Sequence, residues 1–310
     1  VTGLADAQID STPLVCITGQ VNSSLLGTDA FQETDIIGIS TPVTKWNYQV
    51  KSAEEIPMAL SRAFYIAQTG RPGPVLVDIT KDAQFGSFEF TYNRCLEMKS
   101  YRPKPALDKA QLKNAANAIN RSKRPMLLAG QGVLLSNAEN ELQELVNKTR
   151  IPVATTLLGL GALPSSHKLN IGVLGMHGNF APNKMTNEAD LLIAVGMRFD
   201  DRVTGDLNRY AKGAEVIHID IDPGEIHKNV KADWPVLADA KEALSSLHDI
   251  LDHRSFPAWM KRFETYYNQE ENALNIKRES ELKMKDVLVK LSEVTEGKAC
   301  LVTDVGQHQM

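Results

Sequence analysis

The chain has 310 residues, 43% of them hydrophobic and 23% charged, with a formal net charge of −4. That length and apolar content suffice for about two domains with their own cores, and the scattered charge gives no pull toward nucleic acid or an anionic membrane. No run reaches the ~18 apolar residues of a membrane-spanning helix and the first residues lack the basic and apolar regions of a signal peptide, so a soluble, cytoplasmic protein is expected.

The first apolar run, Leu14 to Thr18, and a stronger one, Val75 to Ile79, are rich in Val and Ile, are bounded by Pro or Gly, and read as buried strands. Between them, Ser52 with Glu55 three residues on has the form of a capping box. Pro57 falls in the first turn of the helix that follows, and Ile56, Leu60, Phe64 and Ala67 recur on one of its faces until Gly70 stops it. The stretch from Phe85 to Pro105 carries no periodicity and ends in Arg102-Pro103-Lys104-Pro105, which reads as a linker over the surface holding the first domain boundary.

Beyond it the spacing predicts a helix from about Asp108 to Asn120, then strands at Met126–Ala129, Pro152–Thr155, Asp190–Val195 and Val216–Ile221, with helices over about Ser136–Thr149 and Ala240–Leu251. Leu191 to Val195 is apolar without alternation, as a parallel strand buried on both faces requires. The class is therefore α/β, with doubly wound parallel sheets. A mostly helical block follows, from Pro257 to Asn275 and about Glu279 to Val294, and a short strand is expected at Ala299–Thr303.

Four strand ends carry residues suited to a ligand, because ligands of open α/β sheets sit at the carboxyl ends of the strands. Gly130-Gln131-Gly132-Val133 follows a strand and opens a helix, a place where backbone N–H groups can meet a phosphate. Ser136 with Glu139 forms a second capping box that also explains this turn. A nicotinamide fingerprint would place a third glycine where Leu135 stands and an acid where the next strand ends in Thr155-Thr156. The other ends are Gly175-Met176-His177-Gly178, Gly196-Met197-Arg198-Phe199-Asp200-Asp201-Arg202, and His218 to Pro223. Each has a plain alternative: Asp222-Pro223-Gly224 as a turn, Arg202 with Asp201 as a surface ion pair.

Cys16, Cys95 and Cys300 are an odd number, far apart, with no Cys-x-x-Cys pair, so they read as reduced thiols and not as a disulfide framework or zinc site. His248 and His253 have no third ligand near them and read as helix-surface residues, so no metal ligands are expected within the chain.

Gly27-Thr28-Asp29-Ala30-Phe31-Gln32-Glu33, the Gly70 to Ile79 run, the four strand ends above and Thr303 to Met310 together resemble the catalytic large subunit of the acetohydroxyacid (acetolactate) synthase family, which uses thiamine diphosphate. The resemblance runs through nearly the whole chain and is weakest over 85–102 and 254–279. It implies three parts. Residues 1–95 would be the C-terminal part of the pyrimidine-binding domain, 96–255 a Rossmann-like FAD-binding central domain, and 256–310 a linker with the start of the diphosphate-binding domain. It also implies roles for particular residues. Phe31 and Gln32 would lie beside the reacting end of the cofactor, as an aromatic that excludes water and an amide that holds a substrate carbonyl or carboxylate. Lys81 would be a cation near the substrate entrance; read alone, it is equally a solvated lysine in a turn. The FAD contacts implied are Gly130, Gly132, Gly175, Met176, His177, Gly178, Gly196, Arg198, Asp200, Arg202, Asp220 and Asp239. Gly306, Gln307 and His308 would meet the thiamine diphosphate phosphates.

The activity implied is decarboxylation of pyruvate on thiamine diphosphate and condensation of the retained two-carbon unit with a second 2-keto acid, pyruvate or 2-ketobutyrate, on the way to branched-chain amino acids. The family's cofactor-activating glutamate would lie before Val1 and its Mg²⁺ ligands after Met310, so these 310 residues alone are expected to be inactive. A homodimer or tetramer with the site between subunits is implied, and with it a small regulatory subunit. The alternatives are another thiamine-diphosphate enzyme such as pyruvate oxidase or glyoxylate carboligase, a nicotinamide-dependent oxidoreductase, and a non-catalytic FAD-binding or assembly module.

Overall fold

Among the described residues, every strand runs parallel to its sheet neighbours. The computed structural model describes residues 1–274, 282–304 and 306, and the chain divides into two units, Val1–Pro105 and Ala106–Met310. The boundary falls at the end of the proline-rich stretch, whose rings remove backbone donors and so deny the segment a place in either sheet.

In the first unit α1 (Thr2–Ile9), β1 (Leu14–Gln20), α2 (Ile36–Ser40), β2 (Trp46–Val50), α3 (Ile56–Gln68), β3 (Pro74–Thr80) and α4 (Lys81–Phe85) follow one another. The strand order is β1-β3-β2. The central strand β3 is buried at every residue but Ile79, which is partly so, matching its mostly apolar run. β1 corrects the expectation of a second buried strand: it lies at the sheet edge, and Ile17 is 56% exposed. β2 was missed, although Trp46, Tyr48 and Val50 alternate with Asn47 and Gln49 in the strand period.

Helix α3 packs on this sheet, with Pro57 in its first turn as expected. Its buried face is Ala59, Ala63, Ile66 and Ala67, small residues that let the helix lie close to the strands, whereas Phe64 points outward at 54% exposure. The capping box at Ser52 does not form, because a 3₁₀ turn at Ala53–Glu55 intervenes. Glu55 instead accepts from the Tyr48 hydroxyl at 3.2 Å and the Lys51 N–H at 3.4 Å. One charge is buried in the sheet. Asp78 on β3 accepts from Thr18 Oγ1 at 2.7 Å on β1 and from Gln49 Nε2 at 3.1 Å on β2, so each strand contributes to the rung that satisfies the carboxylate.

The second unit contains α5 (Lys109–Arg121), β4 (Pro125–Ala129), α6 (Gln131–Leu135), α7 (Glu139–Thr149), β5 (Val153–Thr155), β6 (Asn170–Val173), α8 (Phe180–Glu188), β7 (Leu191–Val195), α9 (Asp201–Thr204), β8 (Glu215–Asp220), β9 (Trp234–Leu237), α10 (Ala240–Ile250), α11 (Pro257–Leu274) and α12 (Met284–Val294). Asp108 caps α5, accepting from the Ala110 N–H at 2.8 Å. Ser136 with Glu139 is not the expected capping box: the Ser136 hydroxyl donates back to Gly132 O at 2.7 Å, and α7 starts after Ala138 with no side-chain cap. The helix expected over about Ser136–Thr149 is α7, which starts three residues later, and the short α6 lies ahead of it.

The sheet order is β6-β5-β4-β7-β8-β9. The chain winds outward from β4 to β6, then returns across the start to build β7 to β9, so the winding reverses between β4 and β7. All five residues of β4 and of β7 are buried, and the core extends to Leu142, Leu145 and Val146 of α7 and Leu244 and Leu247 of α10. Helix α11 packs against α8 and sends Trp259 and Tyr266 into the same core, with Trp259 Nε1 donating to Pro125 O at 3.0 Å. Ala299–Thr303 forms no strand, since nothing among the described residues pairs with it.

Candidate functional site

In the first unit, the loops at the carboxyl ends of β1 and β3 are tied together. The Lys81 N–H donates to Val21 O at 3.2 Å, and the Ser23 N–H donates to Asp82 Oδ1 at 2.9 Å. The Ser23 hydroxyl also donates to Asp82 and, with its backbone bond, holds that carboxyl well below the usual range. Ser23, given no role from sequence, therefore fixes the turn that carries Lys81. The Lys81 side chain itself is exposed.

The loop from Gly27 to Glu33 folds around one carboxylate. Glu33 accepts from the Gly27 N–H, the Thr28 N–H at 3.1 Å and the Ala30 N–H at 3.2 Å, and the bond from Gly27 leads the lowering of its pKa. Gln20 Nε2 donates to Thr34 O at 2.9 Å and anchors the loop to the end of β1. With the backbone bound inward, Phe31 is left on the outside at 88% exposure, next to Gln32 in a left-handed conformation at φ 66°. An aromatic ring that bare to water, on a loop this firmly held, is available for cover by a ligand or another chain.

In the second unit the predicted residues lie along the carboxyl edge of the sheet, which spans roughly 24 Å at about 4.8 Å per strand. At the reversal point three glycines meet. A Cβ on Gly130 would lie 2.2 Å from Gly196 O, and one on Gly132 would lie 2.6 Å from Gly196 Cα. The Gly130 and Gly132 N–H groups donate to Val195 O and Gly196 O at 2.9 and 3.0 Å, so these two amides are consumed within the fold. The absence of side chains here lets two chain segments cross; a phosphate at this end must draw on other donors.

Two cations stand nearby in sequence. Arg198 Nε pairs with Asp200 Oδ2 at 3.2 Å, while Asp200 Oδ1 caps α9 by accepting from the Arg202 and Val203 N–H groups. Arg202 is exposed and lies 3.8 Å from Asp201, as the surface-pair reading had it, but its Nη1 also reaches Met176 Sδ at 3.9 Å. The Met176 N–H donates to Arg202 O at 2.6 Å, so the loops after β6 and β7 join above the intervening ends of β5 and β4. Gly175 and Gly178 close the turn beneath, and His177 is exposed at its tip. On the other side, Asp220 is nearly buried and accepts from the Asp222 N–H, and Asp239 caps α10 through the Lys241 N–H at 3.0 Å. The Ala238 N–H to Asp220 O bond at 2.9 Å sets those two acids side by side.

Sequence reasoning gave no role to four contributors. Gly159 approaches Ala129 O so closely that a Cβ would lie 2.2 Å away. Asn183 grips Gly175 through both its N–H and its carbonyl, at 2.9 and 2.8 Å. His218 and Asn229 bind the loop that begins at Gly196. Their letters carried no signal, since all of these act through backbone partners distant in sequence. Leu157, Leu158 and Leu160, each about half exposed, add an apolar rim after β5. Acids for hydroxyls, arginines for phosphates and an apolar rim for a flat ring fit a long coenzyme with all three parts. Gly306 is described but Gln307 and His308 lie outside the described residues. Among the described residues no group of three or more His, Cys, Asp or Glu could hold a metal ion, and no helix is long and apolar enough to cross a membrane.

Residues 112–247 match the family model of the thiamine pyrophosphate enzyme central domain, so the reversed sheet just described is a domain of that class. The likeness extends further. The acetolactate synthase of Mycobacterium bovis is 45% identical over the whole chain and 51% of its own length, the acetolactate synthase large subunit of Corynebacterium glutamicum is 43% identical over the whole chain and 50% of its length, and a probable acetolactate synthase large subunit of Methanocaldococcus jannaschii is 43% identical over the whole chain and 54% of its length. The chain is similar to acetolactate synthase large subunits along its whole length, and it spans about half the length of the curated relatives it matches.

Proposed function

We propose that this chain is a stretch of an acetolactate synthase catalytic subunit, in which pyruvate is decarboxylated on thiamine diphosphate and the retained two-carbon unit is joined to a second 2-keto acid. The observation that carries the reading is the unbroken likeness to that subunit over all 310 residues; the exposed Phe31-Gln32 loop supports it.

Thiamine diphosphate, when bound, supplies the electron sink that lets a 2-keto acid lose CO₂. The chain's own part is to bind, orient and keep dry. Phe31 would cover the reacting centre and exclude water, the Gln32 amide would donate to a substrate carbonyl or carboxylate, and the Lys81 ammonium would draw the anionic keto acid inward. Gly306, Gln307 and His308 are proposed for the phosphates. The activating glutamate and Mg²⁺ ligands are assigned to parts of the relatives' length that this chain does not span.

The edge from Met176 to Asp239 is proposed to hold FAD in a structural role, since the net reaction moves no electrons. Arg198 and Arg202 would face its phosphates and Asp220 and Asp239 its hydroxyls, with Gly175, His177 and Gly178 shaping one end. The protein is proposed to be cytoplasmic and to work as a dimer or tetramer, since Phe31 has its face open to a second chain. A small regulatory subunit is a further proposed partner.

The test uses the longer protein that contains this stretch. Formation of acetolactate from pyruvate, dependent on both thiamine diphosphate and Mg²⁺, is expected, while residues 1–310 alone should give none. Turnover to acetyl phosphate or to a glyoxylate product would instead select pyruvate oxidase or glyoxylate carboligase.

A further inference from the structure

The loop from Gly196 to Arg202 is held in a conformation its sequence does not favour. Phe199 has φ 48°, left-handed for a bulky residue, and is 2% exposed. A non-glycine residue there clashes with its own carbonyl, and such residues persist only where the surroundings over-determine them. Three bonds from β8 and the segment after it do so. The Gly196 N–H donates to Ile219 O at 2.8 Å, His218 Nε2 lies 2.8 Å from Met197 O, and Asn229 Nδ2 donates to Phe199 O at 3.0 Å. The Phe199 ring meets the His218 ring edge-on at 5.1 Å and the Tyr210 ring at 6.2 Å.

His218 is fully buried, and its Nδ1 has no hydrogen-bond partner. A carbonyl can only accept, so Nε2 carries the proton and Nδ1 the lone pair. Its rung neighbours, Ala194 on β7 and Pro235 on β9, carry no charge, and the buried side chains of α10, which packs on β8, are apolar. The charged groups around it are Asp220, with Oδ2 at 3.8 Å from Nε2, and Glu225, with His227 a further titratable neighbour. Burial leads the lowering of its pKa and favours the neutral ring.

We infer that His218 is a positioning residue. As a neutral Nε2–H imidazole it braces the Gly196–Arg202 loop, together with Asn229, in a strained backbone that presents Arg198 and Arg202 to a phosphate-bearing coenzyme at the sheet's reversal point. The strain is stored before any ligand arrives, so the backbone that carries the arginines does not have to be ordered on binding. The coenzyme rests on the flavin reading above; the brace does not.

The experiment compares His218→Leu, His218→Gln and Asn229→Ala with the unchanged chain. Leucine keeps much of the volume and loses the donor, glutamine returns an N–H, and Asn229 is exposed enough that its variant folds in any case. Amide hydrogen exchange over residues 197–204 should quicken about tenfold in His218→Leu and Asn229→Ala, the size expected for one lost hydrogen bond, with α7 unchanged and with near-normal protection in His218→Gln. FAD dissociation constants from equilibrium dialysis should rise by about the same factor in the same two variants. Unaltered exchange in Asn229→Ala, or a glutamine variant no better than leucine, would overturn the brace. Failure of the unchanged chain to bind FAD would sink the flavin reading alone, since exchange still decides the brace.

Discussion

Replacing Gly132 by Ala sets two magnitudes of opposite sign against each other. Gly132 lies inside α6, where Ala is favoured over Gly by about 1 kcal/mol on helix propensity alone. Its added Cβ, however, would lie 2.6 Å from Gly196 Cα and 3.2 Å from Gly196 O, against the ~3.5–4.0 Å at which carbon atoms rest. The obstacle is backbone, and the Gly132 N–H to Gly196 O bond at 3.0 Å draws the two segments together, so relief requires moving β7's end by nearly an ångström. Overpacking costs about 1–3 kcal/mol, and against backbone, which cannot swing aside, the upper part of that range, about 2–3 kcal/mol, applies; with propensity subtracted a net loss of about 1–2 kcal/mol is expected. Urea unfolding followed by tryptophan fluorescence reads it, because Trp234 and Trp259 both lie in the second unit. Gly213→Ala is the control, with nothing within 4 Å of its added Cβ, and should be neutral or slightly stabilising. A Gly132→Ala protein as stable as the parent, or more so, would refute the close crossing of β4's and β7's exits.

Three further outcomes follow from the geometry. Trp259→Ala should destabilise the second unit by about 3–5 kcal/mol, since it empties a buried indole site and strands Pro125 O; a loss below about 1 kcal/mol in urea would mean that α11 does not belong to that core. Phe31→Ala should leave the melting temperature of this chain unchanged, the ring being almost wholly exposed, while lowering kcat/KM of the longer enzyme at least about tenfold; a stability loss here would mean that the ring packs within its own unit. His218 has a folded-state pKa below 6.5, so the unfolded chain binds more protons just under that pH and stability should fall as pH drops from 6.5 toward the lowered value. Urea midpoints at about pH 7.5 and about pH 5.5 should therefore separate less in His218→Gln than in the parent, and equal separations would contradict a neutral buried imidazole.

The central strands were legible because their letters and their environment agree. β4 and β7 are unbroken apolar runs and β3 is broken only by Asp78 and Thr80, and each is buried on both faces. The edges were less so: β1 read as a strand but as a buried one, and β6 and β9, four residues each, are too short for a period to show. The two Ser-x-x-Glu patterns show the limit of short motifs. Ser52 and Ser136 stand at the right spacing, but a 3₁₀ turn after one and a back-bond to Gly132 from the other leave both helices uncapped by them. At the site, the glycines at 130, 132 and 196 marked the right loops, while their reason, a crossing of backbones, required the winding order of the sheet. His218 and Phe199 fell within marked strand ends but with no role of their own, and Asn229 carried no mark: what matters there is which carbonyl a side chain reaches across two strands.

The pairing of Pro125 on β4 with Leu191 on β7 sets an order of events at the ribosome. As the protein emerges, β4, β5 and β6 can assemble with α7 while one side of β4 still lacks its neighbour, and that unpaired row stays open until β7 has left the exit tunnel. A pause in translation between these strands would lengthen the life of a sticky half-sheet, so this interval is where a nascent chain most needs a holding chaperone.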